Sequence, residues 1–358
     1  MRAAVWHAAG DIRIEDVAEP GDPAPSQAVV EVSVCGICGT DVHEFTQGPV
    51  LIRPAPHPLT GHQPPVVLGH ELSGTVLAVG AGGPADLVGS RVAVDPCWRC
   101  GTCYWCVRGD YHICRIGGSV GLASDGALAP LVTVPAAGLI PLPDVVEDLA
   151  GALIEPLAVA LHAVRRGRVG PGDRVLVLGA GPIGSMVTLA VIAAGAAEVF
   201  VSDPIAGRRA RVLALGAAEA FDPQQADVRR EVFMRCGRVG PDVVFECTGA
   251  APLVTQAVDA ARRGGTVVLL GVGHGKAELR PISVTAFERT VVGSLGYNQD
   301  LPRAVDLVAS GRIDPRPLAT SVVPLEQVAR EAFEPLAAGD RDLIKVLVDV
   351  KGSSLAAR

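Results

Sequence analysis

Short apolar runs bounded by turn residues dominate the first part of the chain. Residues 28–34 (AVVEVSV), 72–79 (LSGTVLAV) and 90–94 (SRVAV) predict strands of a β-rich domain reaching to about Leu142. Between them, the segment 48–65 is rich in proline and holds His57 and His62. Its prolines cannot donate to a ladder, so it is expected to be loop. After Glu155-Pro156 the pattern changes. Apolar runs at 174–179, 198–203, 242–247 and 266–271 alternate with helical stretches at 182–194, 206–215 and 253–262. Such alternation predicts a parallel sheet covered by helices on both faces. From about residue 293 the pattern is mixed again, with a helix expected over 301–310 and a last strand over 343–350. The simplest reading is a β-rich domain, 1–156, interrupted by an α/β domain, 157–292, with 293–358 rejoining the first.

The turn after the first α/β run reads Val175-Leu-Val-Leu-Gly179-Ala-Gly181-Pro182-Ile183-Gly184. Glycines are needed where a backbone approaches a pyrophosphate and where the next helix packs closely on its strand, and free amides at the helix start face the phosphates. A carboxylate, Asp203, closes the second run a little over twenty residues later. It can accept hydrogen bonds from an adenosine ribose and repel a 2′-phosphate, which favours NAD over NADP. Strand, glycine turn, helix, strand and acid stand in the order a dinucleotide requires.

At 358 residues the chain is long enough for about two domains. With 49% hydrophobic and 19% charged residues, long disordered stretches are not expected. The net charge of -7 contains no basic block, so nucleic acid is set aside as a partner. No apolar run reaches the ~18 residues of a membrane span, and the first residues lack a signal-peptide core. A cytoplasmic protein with no membrane partner is the expectation.

Of nine cysteines, five fall between Cys97 and Cys114. Cys100, Cys103, Cys106 and Cys114 give C-x2-C-x2-C-x7-C, a spacing that closes a four-thiolate structural zinc site with no open position. Cys97 stands one step upstream in the same register and is read as a spare. Cys35, Cys236 and Cys247 lie in or beside apolar runs and are assigned to packing. A catalytic zinc needs a mixed ligand set with an open position. Cys38, in Gly36-Ile-Cys38-Gly-Thr40-Asp41-Val-His43, and the pair His70-Glu71 are candidates, as is Glu155 at the domain boundary.

Taken together, residues 36–45, 56–74, 100–114, 155–164, 179–184 and 309–318 resemble the zinc-dependent medium-chain dehydrogenase/reductase (alcohol dehydrogenase) family, most of all its 2,3-butanediol and sorbitol dehydrogenase branch. The likeness runs over essentially the whole chain. It implies a GroES-like catalytic domain interrupted by a Rossmann domain. Cys38, His70 and Glu155 would ligate a catalytic zinc, with Glu71 near enough to exchange, and Asp41 would fix the tautomer of His70. Thr40 would take the substrate hydroxyl proton and His43 would pass it toward solvent. Arg208 would lie over the adenine and Lys345 would reach the pyrophosphate of NAD. His162 is expected on a helix below the site.

The implied reaction is hydride transfer between a secondary alcohol and NAD with two zinc ions per chain. A small vicinal diol such as 2,3-butanediol, with acetoin in reverse, is the expected substrate; a polyol, threonine or an aminocyclitol is the alternative. A rival class is a zinc- and nucleotide-binding module that has lost catalysis, which would show a damaged relay or ligand set. The resemblance also implies a homodimer or homotetramer, formed by edge pairing of a strand at about 290–295. The chain departs from the family pattern in the extra Cys97 and in the lack of an aromatic residue within 125–130.

Overall fold

The computed structural model describes residues 1–273 and 275–352. These fall into two compact units, one built from Met1–Glu155 and the chain from Leu301 onward, the other from Pro156–Asp300.

The first unit is built on the strand Gln27–Gly36, which pairs antiparallel with Glu71–Val79, with Leu131–Pro135 and, through its last residues, with Lys345–Asp349. Arg91–Val94 and Leu139–Pro141 extend this sheet on one side and Ala319–Pro324 on the other. Register decides what meets at the functional end, because Gly36 lies opposite both Glu71 and Leu347. A side chain at 36 would place its Cβ 2.2 Å from the Glu71 carboxylate, so glycine leaves the room that acid occupies. Trp6, Leu68, Leu72, Leu128 and Phe333 fill the core beneath.

The helix Gly39–Gln47 leaves the Gln27–Gly36 strand at Cys38 and was not expected from the pattern. Its fully buried side chains are two carboxylates, Asp41 and Glu44, so it has no apolar stripe to read. Glu44 explains where the following loop goes. Its carboxylate accepts from the amides of Val50 at 2.9 Å and Ile52 at 3.1 Å, and from Leu51 between them. Those three backbone donors satisfy the buried carboxylate and pin the start of the loop to the helix.

The second unit is a six-stranded parallel sheet in the order Glu219–Phe221, Glu198–Ser202, Arg174–Leu178, Val243–Glu246, Thr266–Leu269, Thr290–Gly293. Strand order reverses between Arg174–Leu178 and Val243–Glu246, which places the crevice of a doubly wound fold at their carboxyl ends. The strand Glu219–Phe221 and the helix Val228–Arg235 were also not expected. The strand is three residues long, and only Val228 and Val232 of the helix are buried.

The second boundary falls at residue 300 instead of 292. Residues 293–300 are tied to the α/β unit by specific polar contacts. Asp300 accepts from the Arg165 guanidinium at 3.1 Å and meets His162 Nδ1 at 3.1 Å, while the Ser294 amide donates to Leu269 O at 2.9 Å. His162 lies on the helix Ile154–Gly167, as expected. Among the described residues no helix is long and apolar enough to cross a membrane.

Candidate active site and metal centres

Cys38, at the start of the Gly39–Gln47 helix, and His70-Glu71, at the start of the Glu71–Val79 strand, bring one ligand atom each to within 4.8 Å of one another. His70 and Glu71 are buried and Cys38 is half-buried. Thr40 Oγ1 lies 3.4 Å from His70 Nε2. The other ring nitrogen, Nδ1, faces Asp41 Oδ1 at 3.5 Å, while Asp41 Oδ2 accepts from the Cys38 amide at 2.9 Å. Asp41 therefore ties the main chain of one candidate ligand to the ring of another. Oδ1 and Nδ1 are buried with no hydrogen-bond partner among the described residues, and they face each other. A small ring adjustment joins them and leaves Nε2 for a metal, the usual support of a histidine ligand.

The electrostatics favour a cation. Burial pushes the Glu155 carboxyl up to about 7, and the nearby Glu71 carboxylate reinforces this against the pull of His70 and Lys345. For His70, burial disfavours the charged ring, yet Asp41 and the Cys38 thiol hold it well above the usual histidine range. After burial, the next largest cause at each group is a neighbouring carboxylate, Glu71 at Glu155 and Asp41 at His70, a field that a bound cation would offset. The residues fit a zinc ion held by one thiolate, one imidazole and a carboxylate. The structure brings Glu71 into this cluster, with Glu155 standing outside it.

Lys345 corrects the expectation that it reaches a pyrophosphate. It is 2% exposed, and its ammonium donates to both Glu71 oxygens at 2.7 Å and to Ile37 O at 2.9 Å. Three donors meet three acceptors inside the first unit, which leaves none for a phosphate.

The second centre is the loop after Arg91–Val94. Cys100, Cys103, Cys106 and Cys114 converge, with Sγ separations of 3.9 Å (Cys100–Cys106), 3.9 Å (Cys103–Cys114) and 3.5 Å (Cys100–Cys114). A tetrahedral zinc with Zn–S bonds of about 2.3 Å needs sulfur–sulfur edges of about 3.8 Å. The amides of Thr102 and Cys103 bring the Cys100 thiol down to about 6, the direction that suits a thiolate ligand. Cys97 stands on the short strand Cys97–Trp98, paired with Gly118–Ser119, and is outside the four-sulfur group. Asp95 anchors the base of this loop, accepting from the Cys97 amide at 3.1 Å and the Tyr111 hydroxyl at 2.7 Å. Cys103→Ser should release this metal and cost at least about 3 kcal/mol, a drop of roughly 5–10 °C in Tm. A thermal melt beside a zinc assay checks it; an unchanged Tm with full metal content would remove the site.

In the second unit the glycine turn has the shape a dinucleotide needs. Gly179 is left-handed, at φ 94°, and a Cβ at Gly184 would fall 1.8 Å from Gly179 O, so strand and helix Pro182–Ala193 touch there. At Gly181 a Cβ would meet only the Arg208 guanidinium, at 3.7 Å, and the turn is open to a ligand. Asp203 follows the strand Glu198–Ser202, and its oxygens accept from the amides of Ala180 and Ile205, each at 2.8 Å. Arg208 stands 4.0 Å from Asp203, with its Nε buried and without a hydrogen-bond partner among the described residues. A buried orphan donor beside an open glycine is what a polar cofactor would satisfy.

Residues 24–144 match the alcohol dehydrogenase GroES-like domain and residues 182–310 the zinc-binding dehydrogenase domain. The chain is 37% identical to (R,R)-butanediol dehydrogenase of Bacillus subtilis (strain 168), over 97% of this chain and 99% of that one. The chain belongs to the zinc-dependent medium-chain dehydrogenase/reductase family. It is an alcohol dehydrogenase that uses zinc and a nicotinamide cofactor on a small-molecule alcohol. The crystal structure of 2R,3R-butanediol dehydrogenase from Bacillus subtilis superposes on this dehydrogenase with a TM-score of 0.91, covering 98% of this chain and 99% of that one at 37% identity. Sorbitol dehydrogenase of Gallus gallus is 35% identical over 94% of each chain. A solved enzyme of Escherichia coli CFT073, described as a short chain alcohol dehydrogenase complexed with NADH, has a TM-score of 0.89 at 28% identity, covering 98% of this chain and 99% of that one.

Proposed function

We propose that this dehydrogenase transfers hydride between a small vicinal diol and NAD, with 2,3-butanediol oxidised to acetoin and the reverse reduction on the same site. The observation that carries the reading is the cluster of Cys38, His70 and Glu71 with Thr40 Oγ1 at 3.4 Å from His70 Nε2. The butanediol dehydrogenase relative, 37% identical over nearly the full length, supports the substrate class. One zinc per chain would be held at Cys38, His70 and one of Glu71 or Glu155, and a second by Cys100, Cys103, Cys106 and Cys114. When bound, the first metal supplies Lewis-acid polarisation of the substrate oxygen, and the nicotinamide carries the hydride.

The chain's own residues handle the proton and the orientation. Thr40 takes the substrate hydroxyl proton at Oγ1, which lies 3.4 Å from His70 Nε2. His43, three residues on along the same helix and exposed, passes that proton to water. Asp41 holds the His70 ring so that Nε2 stays aimed at the site. The full relay argues against a non-catalytic binding module.

At the cofactor turn, Gly179, Gly181, Pro182, Ile183 and Gly184 would face the pyrophosphate, Asp203 the adenosine ribose, and Arg208 the adenine side. Asp203→Ser should raise the NADP-to-NAD ratio of kcat/KM at least about tenfold, since it removes the charge that repels a 2′-phosphate. It should also raise KM for NAD, because the Ala180 amide loses its acceptor. An unchanged cofactor ratio would reject the assignment.

The enzyme is read as cytoplasmic, with cysteines grouped for metal, and as a homodimer or homotetramer. Thr290–Gly293 supports the last point, because among the described residues it is an edge strand that pairs on one side only. A substrate screen at fixed NAD tests the main reading. Butanediol should exceed sorbitol, threonine and aminocyclitols in kcat/KM; a polyol turned over at far higher kcat/KM would replace it.

A further inference from the structure

The α/β unit holds a second charged concavity with no part in the chemistry above. It has a volume of about 670 Å³ and lies at the amino-terminal edge of the parallel strands. Arg174, Arg238, Arg262 and Arg263 line it together with one carboxylate, Asp242, and with Phe233 and Val239. Arg174 opens the strand whose other end runs into the glycine turn. Five residues at about 3.3 Å each put the two places about 16 Å apart, at opposite ends of that strand.

Not all of this charge is available. Arg174 Nε donates to Glu198 at 2.9 Å, and Arg262 Nε donates to Asp242 at 2.6 Å. Arg238 and Arg262 also follow the helices Val228–Arg235 and Ala251–Ala260, whose terminal carbonyls offset part of a positive charge. Those contacts fix two guanidinium planes, and Arg262 Nη1 also donates to Arg263 O at 2.8 Å, which leaves the Nη donors of Arg174 and Nη2 of Arg262 for something else. Arg238 and Arg263 have no carboxylate partner among the described residues. Arg263 is steadied by the Phe287 ring, 4.9 Å from its guanidinium, which leaves its N–H edge free.

The backbone that carries Arg238 is itself unusual. Gly237, Arg238 and Gly240 all have left-handed φ, at 65°, 63° and 99°. Arginine is uncommon there, and such positions cluster at ligand sites. Beside it Phe233 is 40% and Val239 59% exposed, an apolar surface adjoining the guanidiniums. Guanidinium forks match phosphate oxygens in pairs, and an exposed ring matches a flat group attached to them.

We propose that this concavity binds a phosphate-bearing small molecule at a site separate from the dinucleotide turn. Arg238 and Arg263 supply the unmatched charge, Arg174 and Arg262 the remaining donors, and Phe233 and Val239 cover an attached apolar group. The phosphate belongs either to a free polyphosphate or to a nucleotide, and the experiment separates these sources.

Calorimetry is run on zinc-loaded enzyme saturated with NADH, so that the glycine turn is filled, with inorganic pyrophosphate as the first probe and ADP as the second. One-to-one binding of pyrophosphate is expected, weakened at least tenfold in Arg238→Ala/Arg263→Ala and at least threefold in Arg238→Gln alone. Alcohol turnover should be unchanged in both, which shows that the variants fold. Arg229→Ala, an exposed arginine outside the concavity, should bind as the wild type does. ADP binding tenfold tighter than pyrophosphate identifies a nucleotide, and equal affinity identifies the phosphate alone. No binding of either probe, binding that the double variant retains, or equal loss in Arg229→Ala would overturn the proposal.

Discussion

Cys38→Ser should reduce kcat/KM for alcohol oxidation by more than about 1000-fold while leaving the chain folded. Loss of a partner behind a metal ligand costs about 10–100-fold, and Cys38 is proposed as a ligand itself. The fold should survive for a local reason. Cys38 is the residue before the helix Gly39–Gln47, its amide is held by Asp41 at 2.9 Å, and serine is a favoured residue at such a helix start. The four-thiolate loop contains none of the same residues and should keep its metal. Turnover, zinc content and a thermal melt on one preparation check the three points. Near-normal turnover in Cys38→Ser would remove the catalytic metal from that cluster.

The second large effect is expected at Lys345. In Lys345→Met the Glu71 carboxylate, 1% exposed, loses the cation that meets both its oxygens at 2.7 Å. Removing one member of a buried pair costs about 3–5 kcal/mol, because the remaining charge is left unmatched, here with Glu155 close by. Urea unfolding of the metal-stripped protein measures the loss. Adding Glu71→Gln should recover most of it, since the uncompensated charge goes with the lysine. A loss under about 1 kcal/mol, or no recovery in the double variant, would mean that the pair does not hold the strands Glu71–Val79 and Lys345–Asp349 together at that end.

The parts of this enzyme that were legible in the sequence are those whose geometry is set by neighbours in the chain. The spacing of Cys100, Cys103, Cys106 and Cys114 singles out four sulfurs on one loop, and the structure brings the same four together. The strand Arg174–Leu178, its glycine turn and the helix Pro182–Ala193 were likewise readable, because apolar runs and glycines mark them directly. Cys38 and His70 were different. They are 32 positions apart in sequence, on separate elements, and no spacing rule pairs them; family resemblance did.

What was not legible depends on distant or inverted patterns. The helix Gly39–Gln47 buries acids where a helix pattern requires apolar side chains. Lys345 reads as an ordinary solvated lysine at a strand end, because its partner Glu71 is 274 residues away. Glu44 looks like any surface acid until the amides of residues 50–52 are seen to converge on it. The boundary at residue 300 rests on Asp300 meeting His162 and Arg165, a contact between segments about 135 residues apart. In each case the deciding interaction is polar, buried and remote in sequence, and hydrophobic periodicity carries no trace of it.

Metal at the Cys38 cluster is proposed to do the chemistry, and metal at the four-thiolate loop to hold structure. Adding zinc stepwise to the metal-stripped enzyme, while following bound metal and NADH formation from 2,3-butanediol together, separates the two roles. The wild type should take up two equivalents, one for each ligand cluster, with turnover appearing only as the Cys38 cluster fills. Cys38→Ser should take up one equivalent and stay inactive. Full turnover with a single equivalent bound in Cys38→Ser, or no turnover in the wild type with both clusters filled, would contradict that division of roles.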